Sequence, residues 1–169
     1  MAADDIKADR PGLCLMAMLL WLSACATSEP GPPADYLRTP QGFAEWQQRE
    51  TVLRGDAQTA QKRYGRENSL DMLQGYENAV RAYLDHGFGL YRAYRSARMD
   101  PPEDLIPSLA QRTAWLLDVA DEYVKQGSPA IAEGLADEVV LKYSDLPEMT
   151  PAQRRAEALL LRYRYRSDY

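Results

Sequence analysis

A hydroxyl residue followed by proline recurs along this chain, at Thr39-Pro40, Ser128-Pro129 and Thr150-Pro151. A hydroxyl oxygen at that place can accept an N–H group of the first helical turn. Proline is tolerated there because its missing N–H would have had no partner. Each pair therefore predicts a helix start. After residue 40 apolar residues recur every three or four positions, and no convincing period-two alternation appears.

The helices can be followed one by one. Phe43, Trp46 and Leu53 share a face after Thr39-Pro40. Gly55 either breaks that helix or only weakens it, and the polar stretch 56–66 gives a soft signal. Asn68 or Ser69 opens a stronger helix, in which Leu70, Leu73, Tyr76, Val80, Tyr83 and Leu84 step by three or four. His86-Gly87 reads as a helix end, a side chain able to carry positive charge before a glycine cap. Phe88, Leu90, Tyr91 and Tyr94 resume the pattern at once, so a kinked continuation to Arg98 stays open. Asp100-Pro101-Pro102 is a stop and restart. Leu105, Leu109, Leu116, Val119, Ala120 and Tyr123 mark the next helix, which ends near Gly127. Ile131, Ala132, Leu135, Ala136, Val139 and Tyr143 mark another, and Ala152, Ala156, Leu159, Leu160 and Tyr163 the last. The expected fold is all-α, a small bundle or repeat-like array of about five to six helices over residues 41–169. Within it Leu116, Tyr123, Leu135 and Leu159 are expected to be buried.

Residues 13–24, LCLMAMLLWLSA, form an apolar run too short to span a bilayer and of signal-peptide length. Lys7 and Arg10 precede it, and Ser23 and Ala24 lie just before Cys25. The residues Leu22-Ser23-Ala24-Cys25 resemble the lipobox of bacterial lipoproteins. That resemblance implies a diacylglyceryl group on the Cys25 sulfur and cleavage before Cys25. Ala26, in place of an aspartate, implies the outer rather than the inner membrane. Residues 1–24 are then a lipoprotein signal peptide. Residues 25–40, rich in proline at 30, 32 and 33, read as an extended, non-helical tether. The expectation is a lipid-anchored protein on the periplasmic side of the outer membrane, with the membrane itself as one partner.

The segment Thr113–Leu146 resembles one tetratricopeptide repeat. Leu116, Val119, Ala120 and Tyr123 match its first helix, Gly127 its turn, and Ala132, Ala136 and Val139 the small or apolar positions of its second. The resemblance implies a binding scaffold, and the final helix would cover the repeat's exposed edge. A generic helical hairpin is the alternative.

Candidate chemistry is sparse. The net charge of -5 argues against nucleic acid as a partner, since phosphates want a basic surface. The chain has two cysteines, both within the first 25 residues, and one histidine, so no zinc set and no metal or other cofactor is expected. His86 is given no chemical role. The carboxylates Asp118, Asp121 and Glu122, and Asp137 with Glu138, read as solvated helix faces rather than a glycosidase pair. Glu67 reads as a charge before a helix. Tyr/Arg runs stand out instead: Tyr91, Arg92 and Arg95 in one segment, and Arg162, Arg164, Tyr165 and Arg166 in the other. Such residues anchor interfaces because they combine apolar area with directional polar groups. On the last helix Arg155, Arg162 and Arg166 are expected to share an outer face. The expected function is non-catalytic binding or scaffolding of another envelope protein during assembly or secretion. The alternatives are a cell-wall enzyme or its regulator, and a structural or small-ligand-binding lipoprotein.

Overall fold

The computed structural model describes residues 34–143 and 149–166, with side chains for 36–143 and 149–162. Six helices follow one another among these residues: α1 (Ala34–Leu37), α2 (Pro40–Glu67), α3 (Leu70–Ser96), α4 (Leu105–Lys125), α5 (Pro129–Tyr143) and α6 (Thr150–Arg166). The all-α expectation holds.

Local chemistry sets the boundaries. Thr39 Oγ1 accepts the Gly42 N–H at 3.0 Å and starts α2 at Pro40. Asn68 ends α2 in the left-handed conformation at φ 45°, with its N–H donated to the Tyr64 carbonyl. The next residue, Ser69, caps α3 through the Met72 N–H. A two-residue joint thus reverses the chain. Gly127, at φ 75°, plays the corresponding part between α4 and α5.

Two open alternatives are decided and one expectation is corrected. Gly55 leaves α2 unbroken, and the helix runs on through 56–66 because Ala57 and Tyr64 continue its buried face. At His86-Gly87 the continuation holds, since α3 passes through it to Ser96. Gly87 is needed there for space: a Cβ would lie 2.7 Å from a Leu109 methyl and nearer still to the Arg112 guanidinium. The stretch 25–40 is not non-helical throughout. Residues 34–37 form α1, and Tyr36 folds back so that its hydroxyl meets the Glu45 carboxylate.

The helices pack mainly on their chain neighbours, and their directions alternate. Trp46 meets His86 and Tyr64 meets Tyr76, so α2 and α3 are antiparallel. Tyr83 meets Arg112 and Glu77 meets Tyr123, so α3 and α4 are too. Gln153 reaches the Tyr143 carbonyl across the α5–α6 joint. Second-neighbour contacts then join α2 to α4, α3 to α5 and α4 to α6. The result is a zigzag array with α2 at one edge and α6 at the other. Its core includes Leu73, Val80, Leu84, Leu109, Leu116, Leu117, Leu135 and Val139, all at most 1% exposed. Leu116, Tyr123, Leu135 and Leu159 are buried as expected. Leu70 and Ile131 are not, standing 48% and 42% exposed near the starts of α3 and α5, where fewer neighbours cover them.

Candidate functional site

Three inter-helix joints among the described residues carry a polar cluster set in apolar packing. At the α2–α3–α4 joint, Arg112 is 2% exposed. Its Nε donates to Ser108 Oγ at 3.1 Å, Nη1 to the Tyr83 carbonyl at 3.0 Å, and Nη2 to the Glu50 carboxylate. The guanidinium also lies 3.9 Å from the centre of the Tyr83 ring. Beside it the His86 ring stacks on Trp46 at 3.8 Å, with Nε2 facing the Trp46 carbonyl. His86 is therefore a packed residue in mid-helix.

At the α3–α4–α5 joint, Glu77 holds Arg81 at 2.7 Å and the Tyr123 hydroxyl at 2.6 Å. Arg81 reaches on to Glu138, which also holds Lys142. Phe88 stacks on Tyr143 at 4.1 Å above this network. Burial, with Asp85 and Glu138 nearby, pushes the Tyr143 phenol up. Burial likewise raises Tyr76 to about 12. At the α4–α6 joint, Arg155 spans Asp118 at 2.6 Å and Asp121 at 2.7 Å.

Asp85 is half-buried on α3 near Glu138 and Lys142 of α5, and burial, with Glu138 nearby, raises its carboxyl above the usual aspartate value against the pull of Lys142, Arg81 and Arg92. The folded state therefore binds this proton more tightly than the unfolded one. Its ionisation costs stability at every pH above the raised value, and that cost disappears as pH falls through the range down to an ordinary aspartate. Asp85→Asn is expected to raise the melting temperature near about pH 7 and to leave it unchanged near about pH 3. A variant less stable at neutral pH would contradict this.

The acidic pairs of α4 and α5 are thus more than solvated faces. Asp118 and Asp121 clamp Arg155, Glu122 takes the Tyr64 hydroxyl at 2.9 Å and Lys125 at 2.6 Å, and Glu138 bridges two cations. Arg155 is accordingly turned toward α4 and does not share the outer face with Arg162. Glu67 is exposed at the end of α2.

No known protein family, curated protein or solved structure matches this chain. Its surface has to be read on its own terms.

The two Tyr/Arg segments lie at opposite poles of the array. Arg92 and Arg95 are exposed on the last turns of α3, with Tyr91 half-buried against the core. This is the pole where α1 joins, since α1 touches both α2 and α3. Arg162 is exposed near the far end of α6. The side chains of Arg164, Tyr165 and Arg166 lie outside the described residues, as does Cys25 with the whole of 1–33. The outer face of α6 presents Arg154, Glu157, Ala158, Leu161 and Arg162 to solvent. Leu141 on α5 and Leu161 on α6, 79% and 60% exposed, are the most exposed large apolar side chains among the described residues.

Sequence reasoning passed over Arg112, although the signal was present. Leu105, Leu109 and Leu116 leave a core slot at 112, and the residue filling it is charged. Two exposed leucines on consecutive helices were equally visible only once the inward faces were known.

Proposed function

We propose that this protein is a lipoprotein anchored to the outer membrane through Cys25, facing the periplasm and working as a non-catalytic scaffold for another envelope protein. The observation that carries the scaffold reading is the division of labour among its polar groups. The groups set between helices, Arg112, Glu77, Arg81, Glu138 and Arg155, are spent on joining them, while Arg154 and Arg162 make no ion pair among the described residues. Chemistry would need interior groups set against a cleft; binding needs outward ones.

The anchor reading rests on Leu22-Ser23-Ala24-Cys25 and the apolar run before it. Because α1 begins at Ala34, residues 26–33 are what separates Cys25 from the domain. At about 3.1 Å per residue they would reach roughly 25 Å. The pole bearing Arg92 and Arg95 then faces the membrane, and the end of α6 bearing Arg162 points away from it. Of the two Tyr/Arg segments, the C-terminal one is the partner-facing choice.

Intact mass of membrane-extracted protein should give a mature chain that begins at Cys25 and carries acyl groups, and Cys25→Ala should accumulate as an unacylated precursor. A mature start elsewhere sinks the anchor. Replacing Arg162, Arg164 and Arg166 with Ser should leave thermal stability within a few degrees and remove a co-purifying envelope protein. The few-degree allowance reflects that exposed ion pairs contribute only about 0–1 kcal/mol. An unchanged set of co-purifying proteins would take the partner away from this pole.

A further inference from the structure

The two edges of the array are unlike. The outer face of α2 is mostly polar: Gln47, Gln48, Thr51, Arg54, Gln58 and Lys62 are exposed, with Phe43 and Val52 the large apolar exceptions among the described residues. A stacked helical array needs such a polar cap at each end to stay soluble. On the α6 edge the charged residues Arg154, Glu157 and Arg162 alternate with an apolar stripe. Ala158 and Leu161, one helical turn apart, look outward from α6. Gly134 and Leu141 look outward from the neighbouring α5. Gln153 donates to the Tyr143 carbonyl, which sets the end of α5, with Leu141, beside the first turns of α6; the two helices pack together, so Gly134 lies toward the later turns that carry Leu161. Between the two helices the small residues leave room and the leucines offer grip. This is the position the next helix of the zigzag would take.

Charge selects among occupants. Arg154 and Arg162 flank the apolar pair with Glu157 as the one exposed acid between them, and neither arginine has an ion-pair partner among the described residues. In an isologous dimer, α6 against α6 would bring arginine toward arginine, which disfavours a second copy. We propose that the α5/α6 face receives an acidic amphipathic helix of a second envelope protein, laid down as the next helix of the array. Leucine or similar side chains would fill the space by Gly134 and pack on Leu141 and Leu161. Carboxylates on either side would take the guanidiniums of Arg154 and Arg162 in two-point contacts.

The inference rests on the scaffold reading, and one experiment separates the two. A photo-crosslinking residue is placed at position 141, 161, 52 or 92 of the full chain in its own cells, and the adducts are sequenced by mass spectrometry. The expected result is adducts from 141 and 161 that map to one acidic amphipathic segment of another envelope protein. Leu161→Arg should abolish the adduct formed from position 141. Adducts to a second copy of this chain, or to a segment without acids or helical periodicity, overturn the proposal. Protein adducts from 52 or 92 alone overturn it while leaving the scaffold reading standing. No protein adduct from any of the four positions overturns both.

Discussion

Arg112→Ala should destabilise the domain by about 3–5 kcal/mol, a large share of what a single domain commands. The guanidinium is buried and fastens three helices: Ser108 on its own α4, the Tyr83 carbonyl on α3 and Glu50 on α2. Alanine removes all of these links with the contact over the Tyr83 ring, and leaves a space that α3 cannot fill because its residue there is Gly87. Glu50 is 30% exposed and can recover some hydration, so the loss comes from the hydrogen bonds to Ser108 and Tyr83, the ring contact and the space left behind rather than from a stranded carboxylate. Urea denaturation of the variant and of Glu50→Gln should rank the arginine change well above the glutamate change. Equal stability of Arg112→Ala and the parent would refute the role assigned to this side chain.

Leu116→Ala should cost about 2–5 kcal/mol, through lost burial and the cavity left behind. Leu116 is wholly buried on α4, the helix that touches α3, α5 and α6. A defect there loosens the centre and reaches both hairpins. Leu161→Ala is the matched control: the same atoms are removed from a side chain 60% exposed, and the change should stay within about 0.5 kcal/mol. Denaturation midpoints should separate the two with unchanged slopes. A similar loss at both positions would mean that Leu161 is covered within the domain, which would also remove the basis for the α5/α6 docking face.

Much of the fold was legible because starts and faces are written locally. Thr39-Pro40 and Thr150-Pro151 fix where helices begin, and the three-and-four stepping of Leu73, Tyr76, Val80 and Leu84 gives the buried side of α3 whatever lies opposite. Features that depend on a second helix were not legible. His86-Gly87 carries a local stop signal, but the glycine is there for a guanidinium 25 residues away, and packing overrides the signal. Arg155 looked like an outward arginine because helical angles alone cannot place Asp118 and Asp121 beside it. The region proposed to face a partner was legible in part. Its arginines stood out by composition, whereas Leu141 and Leu161 became notable only when the covered sides of α5 and α6 were known.

The zigzag order of contacts has a kinetic consequence. Because each helix packs mainly on the one just before it, loop closures are short and contact order is low, which favours rapid folding. Each hairpin can close before the next helix is in place, and Arg112 then locks the first three long helices together. Among the described helices α6 lies at an edge of the array and is held mainly by α4 and α5, so it is a helix expected to open early by local unfolding. A helix laid against its outer face would suppress that opening. Amide exchange in α6 would then report occupancy of the array's edge more directly than the melting of the whole domain.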